Sequence, residues 1–140
     1  MALSEEEREA FLSEPLTATL GVAAGPERGP LLVPLWYGYE PGGLPWILTG
    51  RDSRKAALIA EAGRFSLLVQ RLTPTVRYVS VEGPVTETVA ATAEHVREMA
   101  GRYLSGAALE RYVASPVALA ESVVVRMRPE RWTSSDLGAW

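Results

Sequence analysis

The sequence predicts a mainly β domain with helical excursions, in which six strands close into a small, closed or partly open β-barrel. Three observations lead there. Stretches rich in β-formers recur along the chain and are separated by turn chemistry at Ala24-Gly25-Pro26-Glu27-Arg28-Gly29 and Glu40-Pro41-Gly42-Gly43. The segments with helical spacing interrupt this hairpin order without the βαβ alternation of a doubly wound sheet. At 140 residues, 47% hydrophobic and 22% charged, the chain has the make-up of one globular domain spanning residues 1–140.

Taken in order, Ser4-Glu5-Glu6-Glu7 is a capping box, serine at the N-cap and glutamate three residues on, and it opens a short helix through Phe11 and Leu12 that ends before Pro15. Leu16 to Ala23 is the first strand and Leu31 to Tyr39 the second. Pro34 cannot donate to a ladder, so the second strand is expected on an edge, at a bulge or where the backbone faces a ligand. Leu44 to Thr49 is the third strand. Ser53 to Ala62 is a helix stopped by Gly63, with Ala56, Ala57, Ile59 and Ala60 as a small-residue face for a sheet. Arg64 to Gln70 is strand four. Strand five runs from Val76 to about Thr86, with Val79 and Val81 on one face, Tyr78, Ser80 and Glu82 on the other, and a kink or bulge at Gly83-Pro84. Thr92 to Leu104 is helical, with Val96, Met99, Ala100, Tyr103 and Leu104 on one stripe. Ser105 can cap a further short helix carrying Leu109, Tyr112 and Val113. A last strand, Ser122 to Arg128, precedes an irregular tail from Pro129 to Asp136.

The inventory excludes much chemistry. There is no cysteine, hence no disulfide and no thiolate, and one histidine cannot build a multi-histidine metal site. His95, the one base a serine triad could use, reads as part of a solvated mid-helix face. A net charge of −3 argues against a nucleic-acid partner. No apolar run has the length of a membrane span and no signal peptide is read before Ser4, so a cytoplasmic setting is expected. A reaction here would need a bound group to supply the reactive atoms.

The segment with the sharpest chemical signal is Leu48-Thr49-Gly50-Arg51-Asp52-Ser53-Arg54-Lys55, read as the end of a strand, a tight loop and a first helical turn. A helix start has unpaired N–H groups and partial positive charge. Here it carries Arg51, Arg54 and Lys55 with only Asp52 to offset them, and Lys55 is the only lysine among 14 basic residues. Three cations at the positive end of a dipole are unfavourable without an anion among them. A phosphate is therefore expected at this turn, with Thr49 and Ser53 adding hydroxyls; a solvated loop with surface ion pairs is the alternative. Pro34-Leu35-Trp36-Tyr37 offers a flat aromatic surface that either lines the core or lies along a planar ring. Trp132, beside Arg131, is either a lid on the core or part of a site. Arg77 is expected to pair with Glu82 or Glu87, and Tyr103 with Tyr112 in helix packing.

Thr49-Gly50-Arg51-Asp52-Ser53-Arg54-Lys55-Ala56 resembles the Tyr-Thr-x-x-x-Ser-Arg-Lys-Ala run of the pyridoxamine 5'-phosphate oxidases. Arg77-Tyr78-Val79-Ser80-Val81-Glu82-Gly83 followed by Glu87 resembles their Arg-Gln-Val-x-Val-x-Gly-x-x-Glu strand. Trp36-Tyr37 and Pro129-Glu130-Arg131-Trp132 resemble a branch of small split-barrel oxidoreductases that use FMN or the deazaflavin coenzyme F-420. The resemblance runs over residues 4 to 136 and implies a six-stranded split β-barrel of the FMN-binding type. It further implies a homodimer with cofactor sites at the subunit interface. By that likeness Arg54 and Lys55 bind the cofactor phosphate, helped by Thr49, Ser53 and Arg51. Val33, Pro34, Leu35 and Trp36 run along the ring, Tyr78 stands where the oxidases have glutamine, and Trp132 reaches a cofactor edge, across the dimer. The oxidases' Arg-x-His element and further C-terminal segment have no counterpart, which argues against pyridoxamine phosphate oxidation itself.

The expected function is an oxidoreductase in which FMN, or alternatively coenzyme F-420, exchanges hydride with a small-molecule substrate. No catalytic side chain is assigned; Tyr37 or Tyr78 is the candidate proton donor. FMN ends in one phosphate, whereas the deazaflavin's longer acidic tail would want a broader basic groove from Arg51, Arg28 and Arg71. A non-catalytic flavin or haem binder, sensor or carrier on the same fold is the alternative, and a cofactor-free interaction module a third reading.

Overall fold

A computed structural model describes residues 1–139. Five helices and eight strands follow in the order α1 (Glu5–Leu12), β1 (Ala18–Val22), β2 (Leu31–Leu35), β3 (Tyr37–Gly38), β4 (Trp46–Gly50), α2 (Arg54–Ala62), β5 (Arg64–Arg71), β6 (Val76–Ala90), α3 (Ala93–Gly101), α4 (Gly106–Val113), α5 (Pro116–Leu119), β7 (Ser122–Met127) and β8 (Arg131–Gly138). All strand pairings are antiparallel, in the order β2-β1-β5-β6-β7-β4-β3 with β8 against β6. The sheet curls into a split barrel around one main core that includes Leu20, Tyr37, Ile47, Phe65, Leu67, Val79, Val81 and Met127.

The helices close the barrel. The α1 capping box forms as expected, Ser4 Oγ accepting the Glu7 N–H and Glu7 accepting the Ser4 N–H. It delivers Phe11 and Leu12, both fully buried, to the core; each such side chain stabilises by about 1.5–3 kcal/mol. Helix α2 is capped by Ser53 and stopped by Gly63 in the left-handed region at φ 71°. It drives Ile59, with Leu58 and Ala62, into the same core. Ala57 and Ala60, expected in that packing face, are exposed instead. Helices α3 and α4 pack on each other and cover a second cluster of Trp46, Met99 and Val124.

The strand count is eight where six were expected, for two physical reasons. The expected strand Leu31–Tyr39 is broken at Trp36: β2 pairs with β1, while β3 pairs with β4 at the other end of the sheet order. The expected irregular tail is strand β8. Its run Thr133-Ser134-Ser135-Asp136 is too polar to read as a strand, yet it pairs with β6 from Val76 to Glu82. Three smaller differences follow. Strand β6 continues past Gly83-Pro84 to Ala90 with its bulge between Val85 and Glu87, α3 ends at Gly101, and the short α5 was not read from the sequence. Ser105 precedes α4 but makes no side-chain cap bond.

Strands β7 and β8 lie along the same edge of β6 and bend together at Arg128–Glu130. There the Arg128 N–H donates to Pro84 O at 2.9 Å and the Glu130 N–H to Glu82 O at 2.8 Å. Gly83 lies against this bend, and a Cβ on it would overlap the Arg128 carbonyl oxygen. The far end of β8 is held by Asp136, which accepts from Thr75 Oγ1 at 2.7 Å, Arg77 Nε at 2.9 Å and the Gly138 N–H at 2.8 Å. Arg77 therefore pairs with Asp136 and not with Glu82 or Glu87; Glu87 faces Arg126. The Thr75 hydroxyl foremost, then Gly138 and Arg77, holds the Asp136 carboxyl down at about 2 from an ordinary 3.8.

Two predictions follow from this architecture. Gly83→Ala forces backbone against backbone and should lower stability by about 2–3 kcal/mol in urea titrations; a loss under about 0.5 kcal/mol would contradict the close approach. Asp136 has its folded pKa below its unfolded one, so its contribution is complete above about pH 4 and is lost as pH falls toward 2. Asp136→Asn should melt earlier than the parent at pH 7, with the gap closing between pH 4 and 2. A gap that persists unchanged at pH 2 would exclude the carboxylate as its cause.

Candidate functional site

The site is built at the junction of β4 and α2. Strand β4 ends at Thr49-Gly50, a two-residue turn follows, and Ser53 caps α2. Thr49 is 4% exposed, the single buried polar or charged side chain among the described residues. Its Oγ1 lies 2.9 Å from Ser53 Oγ, which also accepts the Ala56 N–H at 3.2 Å. The pair locks the loop so that Arg54 and Lys55 occupy the first helical turn, which holds no acid.

The three cations of this segment differ in their partners. Arg51 is engaged: its guanidinium pairs with Glu121, and its N–H donates to Glu121 O at 3.2 Å. Asp52 stands at 3.9 Å from Arg51. Arg54 is exposed and Lys55 half-buried, and neither has a carboxylate partner among the described residues. Their backbone N–H groups also find no acceptor there. Two cations and two N–H groups thus stand in the first turn of α2 with no carboxylate paired to them, a cost of about 0.3–1 kcal/mol per charge. A phosphate monoester matches that donor set in charge and in number of acceptor oxygens.

The other sequence-derived candidates divide between two surroundings. Val33 and Leu35 turn inward against the core, while Pro34 is exposed on β2, a strand at the edge of the sheet order. That is where a proline costs the ladder least. The register puts Pro34 opposite Thr19, Thr19 opposite Leu68 and Leu68 opposite Ser80. Tyr78, two residues from Ser80, therefore shares the outer face of the sheet with Pro34. Leu32, 64% exposed, lies on that face as well.

Trp36 does not offer a free aromatic surface. Its ring is stacked on Tyr103 with centroids 4.6 Å apart and planes 5° off parallel, and Tyr112 tilts against it at 5.2 Å. Tyr103 and Tyr112 thus enclose Trp36 and do not simply pack on each other. Trp132 faces inward opposite Val81, with the Arg8 guanidinium 4.6 Å over its ring and Tyr39 edge-on at 6.4 Å. Its contacts lie on the α1 side of the core, and the chain does not bring it to the basic turn. The Tyr37 hydroxyl is buried with Leu12 O at 2.7 Å and Glu14 O at 2.8 Å. Burial foremost pushes its acidity far below that of an ordinary phenol, so Tyr37 is no proton donor to a ligand. His95 sits in the first turn of α3, not mid-helix; its Nδ1 accepts the Thr92 N–H at 3.0 Å in a capping box. Among the described residues no group of three His, Asp or Glu side chains could hold a metal ion, and no helix is long and apolar enough to cross a membrane.

Sequence reasoning missed Glu121, which neutralises Arg51, and the α5 segment beside it. A glutamate in a loop far along the chain carries no signal of that partner. Tyr103 and Tyr112 were visible as helix residues, but their target, Trp36, lies more than sixty positions away.

Comparison with known proteins places these features. The chain is similar to a conserved hypothetical protein of Mycobacterium tuberculosis, 28% identical over 97% of this chain and 86% of that one, with a TM-score of 0.73. It is similar to an F-420 reductase at 21% identity over 89% of this chain and 94% of that one, TM-score 0.73. It is similar to an FAD-binding protein of Mesorhizobium loti at 19% identity over 97% and 95%, TM-score 0.65. At such identities the last two establish the fold alone. No curated protein matches the chain. The sequence pattern of the pyridoxamine 5'-phosphate oxidase family matches residues 4–136, nearly the whole chain and including the basic turn, and the chain belongs to that family.

Proposed function

We propose that the chain is an FMN-dependent oxidoreductase acting on a small molecule. The observation that carries this is helix α2, whose first turn holds Arg54, Lys55 and their N–H groups with no paired carboxylate. The residues fit one terminal phosphate. A longer acidic tail, as on coenzyme F-420, would recruit Arg51, Arg28 and Arg71. Of these, Arg51 is paired with Glu121, and Arg71 donates to Thr75 O and Oγ1 while lying over the Phe11 ring. The free positive charge beside Thr49 is thus matched to FMN more closely than to the deazaflavin.

In this reading Ser53 and Thr49 hold the loop in shape, Arg54 and Lys55 bind the phosphate, and the backbone of Val33 to Trp36 runs along the ring. When bound, the flavin supplies reversible hydride exchange with a substrate. Two copies of the chain would meet over the outer face carrying Leu32, Pro34 and Tyr78, with the cofactor sites between them. A non-catalytic carrier of the same cofactor is the competing reading, favoured by the position of the turn's one carboxylate, Asp52, which is exposed and stands beside Arg51.

Purified protein should show a two-band flavin spectrum or acquire it on adding FMN. Arg54→Ala combined with Lys55→Ala should weaken FMN binding roughly 100-fold or more, given about 1.5–3 kcal/mol for each hydrogen bond to a charged group. Unchanged affinity would remove the turn as the phosphate site. Tighter binding of coenzyme F-420 than of FMN would reverse the order of the two cofactors, and flavin that binds but cannot be reduced by nicotinamide donors would favour the carrier.

A further inference from the structure

Beside the basic turn lies a cleft that the cofactor reading leaves unused. It runs between the α4–α5 segment and strands β4, β6 and β7, in two adjoining lobes. One, of about 150 Å³, is walled by Leu48, Thr49, Tyr112 and Val117. The other, of about 340 Å³, continues past Ala118 and Ser122 to Ala91 and Val96. Together they reach the lower end of the size range of small-ligand pockets.

The wall has a definite chemistry. Among the described residues its only charged side chains are Arg51 and Glu121, which pair with each other. A charged group entering the cleft would lose water and meet no partner. The apolar residues at its mouth, Val117 and Leu119, stay 74% and 72% exposed. The hydroxyls are also sorted: Thr49 is used by Ser53, and Thr92 by the cap of α3. The hydroxyls of Tyr112 and Ser122 bond to nothing among the described residues, and Tyr112 is held in place by its ring contact with Trp36. The cleft and the anion turn meet at Thr49, Gly50 and Arg51, so whatever fills one touches the residues that shape the other.

We infer that this cleft holds the reacting substrate, and that the substrate is a small, uncharged, largely apolar molecule with a carbonyl-type oxygen accepting from Tyr112 and Ser122. The inference rests on the cofactor reading for the word "reacting". The wall, whose two charges pair with each other, fixes the substrate class, the two free hydroxyls fix its polar end, and Tyr112, whose ring meets Trp36 at 5.2 Å, sets it beside the stretch along which the cofactor ring runs. Tyr112 and Ser122 are binding residues in this assignment, and the width at Ala118 sets what fits.

The test uses three naphthalenes substituted at one ring position: acetylnaphthalene, ethylnaphthalene and naphthoate. Binding is followed calorimetrically in phosphate buffer, so that the basic turn is occupied and does not capture the carboxylate. Acetylnaphthalene should bind saturably, and naphthoate at least roughly tenfold more weakly. Tyr112→Phe with Ser122→Ala should weaken acetylnaphthalene roughly tenfold and leave ethylnaphthalene unchanged. Ala118→Trp should block both neutral probes. Val117→Glu, at an exposed position where folding is not at stake, should weaken both.

No saturable binding of acetylnaphthalene, equal affinity for naphthoate, or parental affinity in Val117→Glu would each overturn the inference. FMN titration of the same proteins separates the two readings. A protein that binds FMN but not the neutral probes loses only the cleft. One that binds the probes but neither FMN nor coenzyme F-420 loses the cofactor reading, and with it the link between this cleft and a reaction.

Discussion

Trp36 and Tyr103 hold the point where the chain passes from one end of the sheet order to the other. Strand β2 pairs with β1 and strand β3 with β4, so the residue between them belongs to neither ladder. Its ring is taken up by the stack on Tyr103. The Tyr103 hydroxyl accepts the Tyr37 N–H at 3.2 Å, with Leu16 O at 2.9 Å and Tyr37 O at 3.1 Å as its acceptors. One side chain thus satisfies backbone groups that a change of ladder would orphan in a buried place. The consequences spread in both directions. Upstream, β2 is left as an edge, where Pro34 is tolerated. Downstream, Tyr37 and Tyr39 are steered into the core, and Gly38 comes opposite Trp46, whose indole occupies the space a Cβ would need. The β3–β4 hairpin then fixes where β4 ends, and so where the basic turn stands.

The turn illustrates how an unfavourable charge arrangement survives in a stable fold. The cost of Arg54 and Lys55 at a helix start is about a kcal/mol each at most, small beside the burial of Ile59 and Leu58 that anchors α2 to the core. The helix would form whatever stood in its first turn, which leaves that turn free to carry charges that cost the helix. Arg51 follows a different logic: its pairing with Glu121 and the bond from its N–H to Glu121 O tie the loop to the α5 segment. The sequence alone left the three cations equivalent; the structure separates one tether from two free donors.

What could be read without the structure follows the range of the interactions concerned. Caps and stops are local: Ser4 and Gly63 are where they were expected, and Ser53, read as the first helical residue, is the N-cap one position before it. The barrel class followed from hairpin order and alternation. The split of β2 from β3 was not legible, because its cause is Tyr103, far along the chain. Strand β8 was hidden because its polar residues are held by pairing with β6 and by Asp136, not by their own β propensity. Of the candidate site, the Ser53-Arg54-Lys55 element was visible through its conflict with the dipole, whereas the cleft needed α5, which no periodicity announces.

The two ends of β4 show a division that bears on any chemistry. At the Trp46 end the indole itself is engaged: it lies across Gly38, Arg126 stands 5.4 Å over its ring, and His95 meets it edge-on at 6.3 Å. At the Thr49 end, three residues along the strand, lie the free cations, the free amides and the unbonded hydroxyls of Tyr112 and Ser122. Unsatisfied groups persist where surrounding structure over-determines them, and here the over-determination comes through β4 from its packed end and through α2 from Ile59. The same rigidity holds the backbone N–H groups of Arg54 and Lys55 close to the cleft, which shares Thr49, Gly50 and Arg51 with this loop. A ligand reaching both meets backbone donors already in place, and its ordering cost falls mainly on the Arg54 and Lys55 side chains.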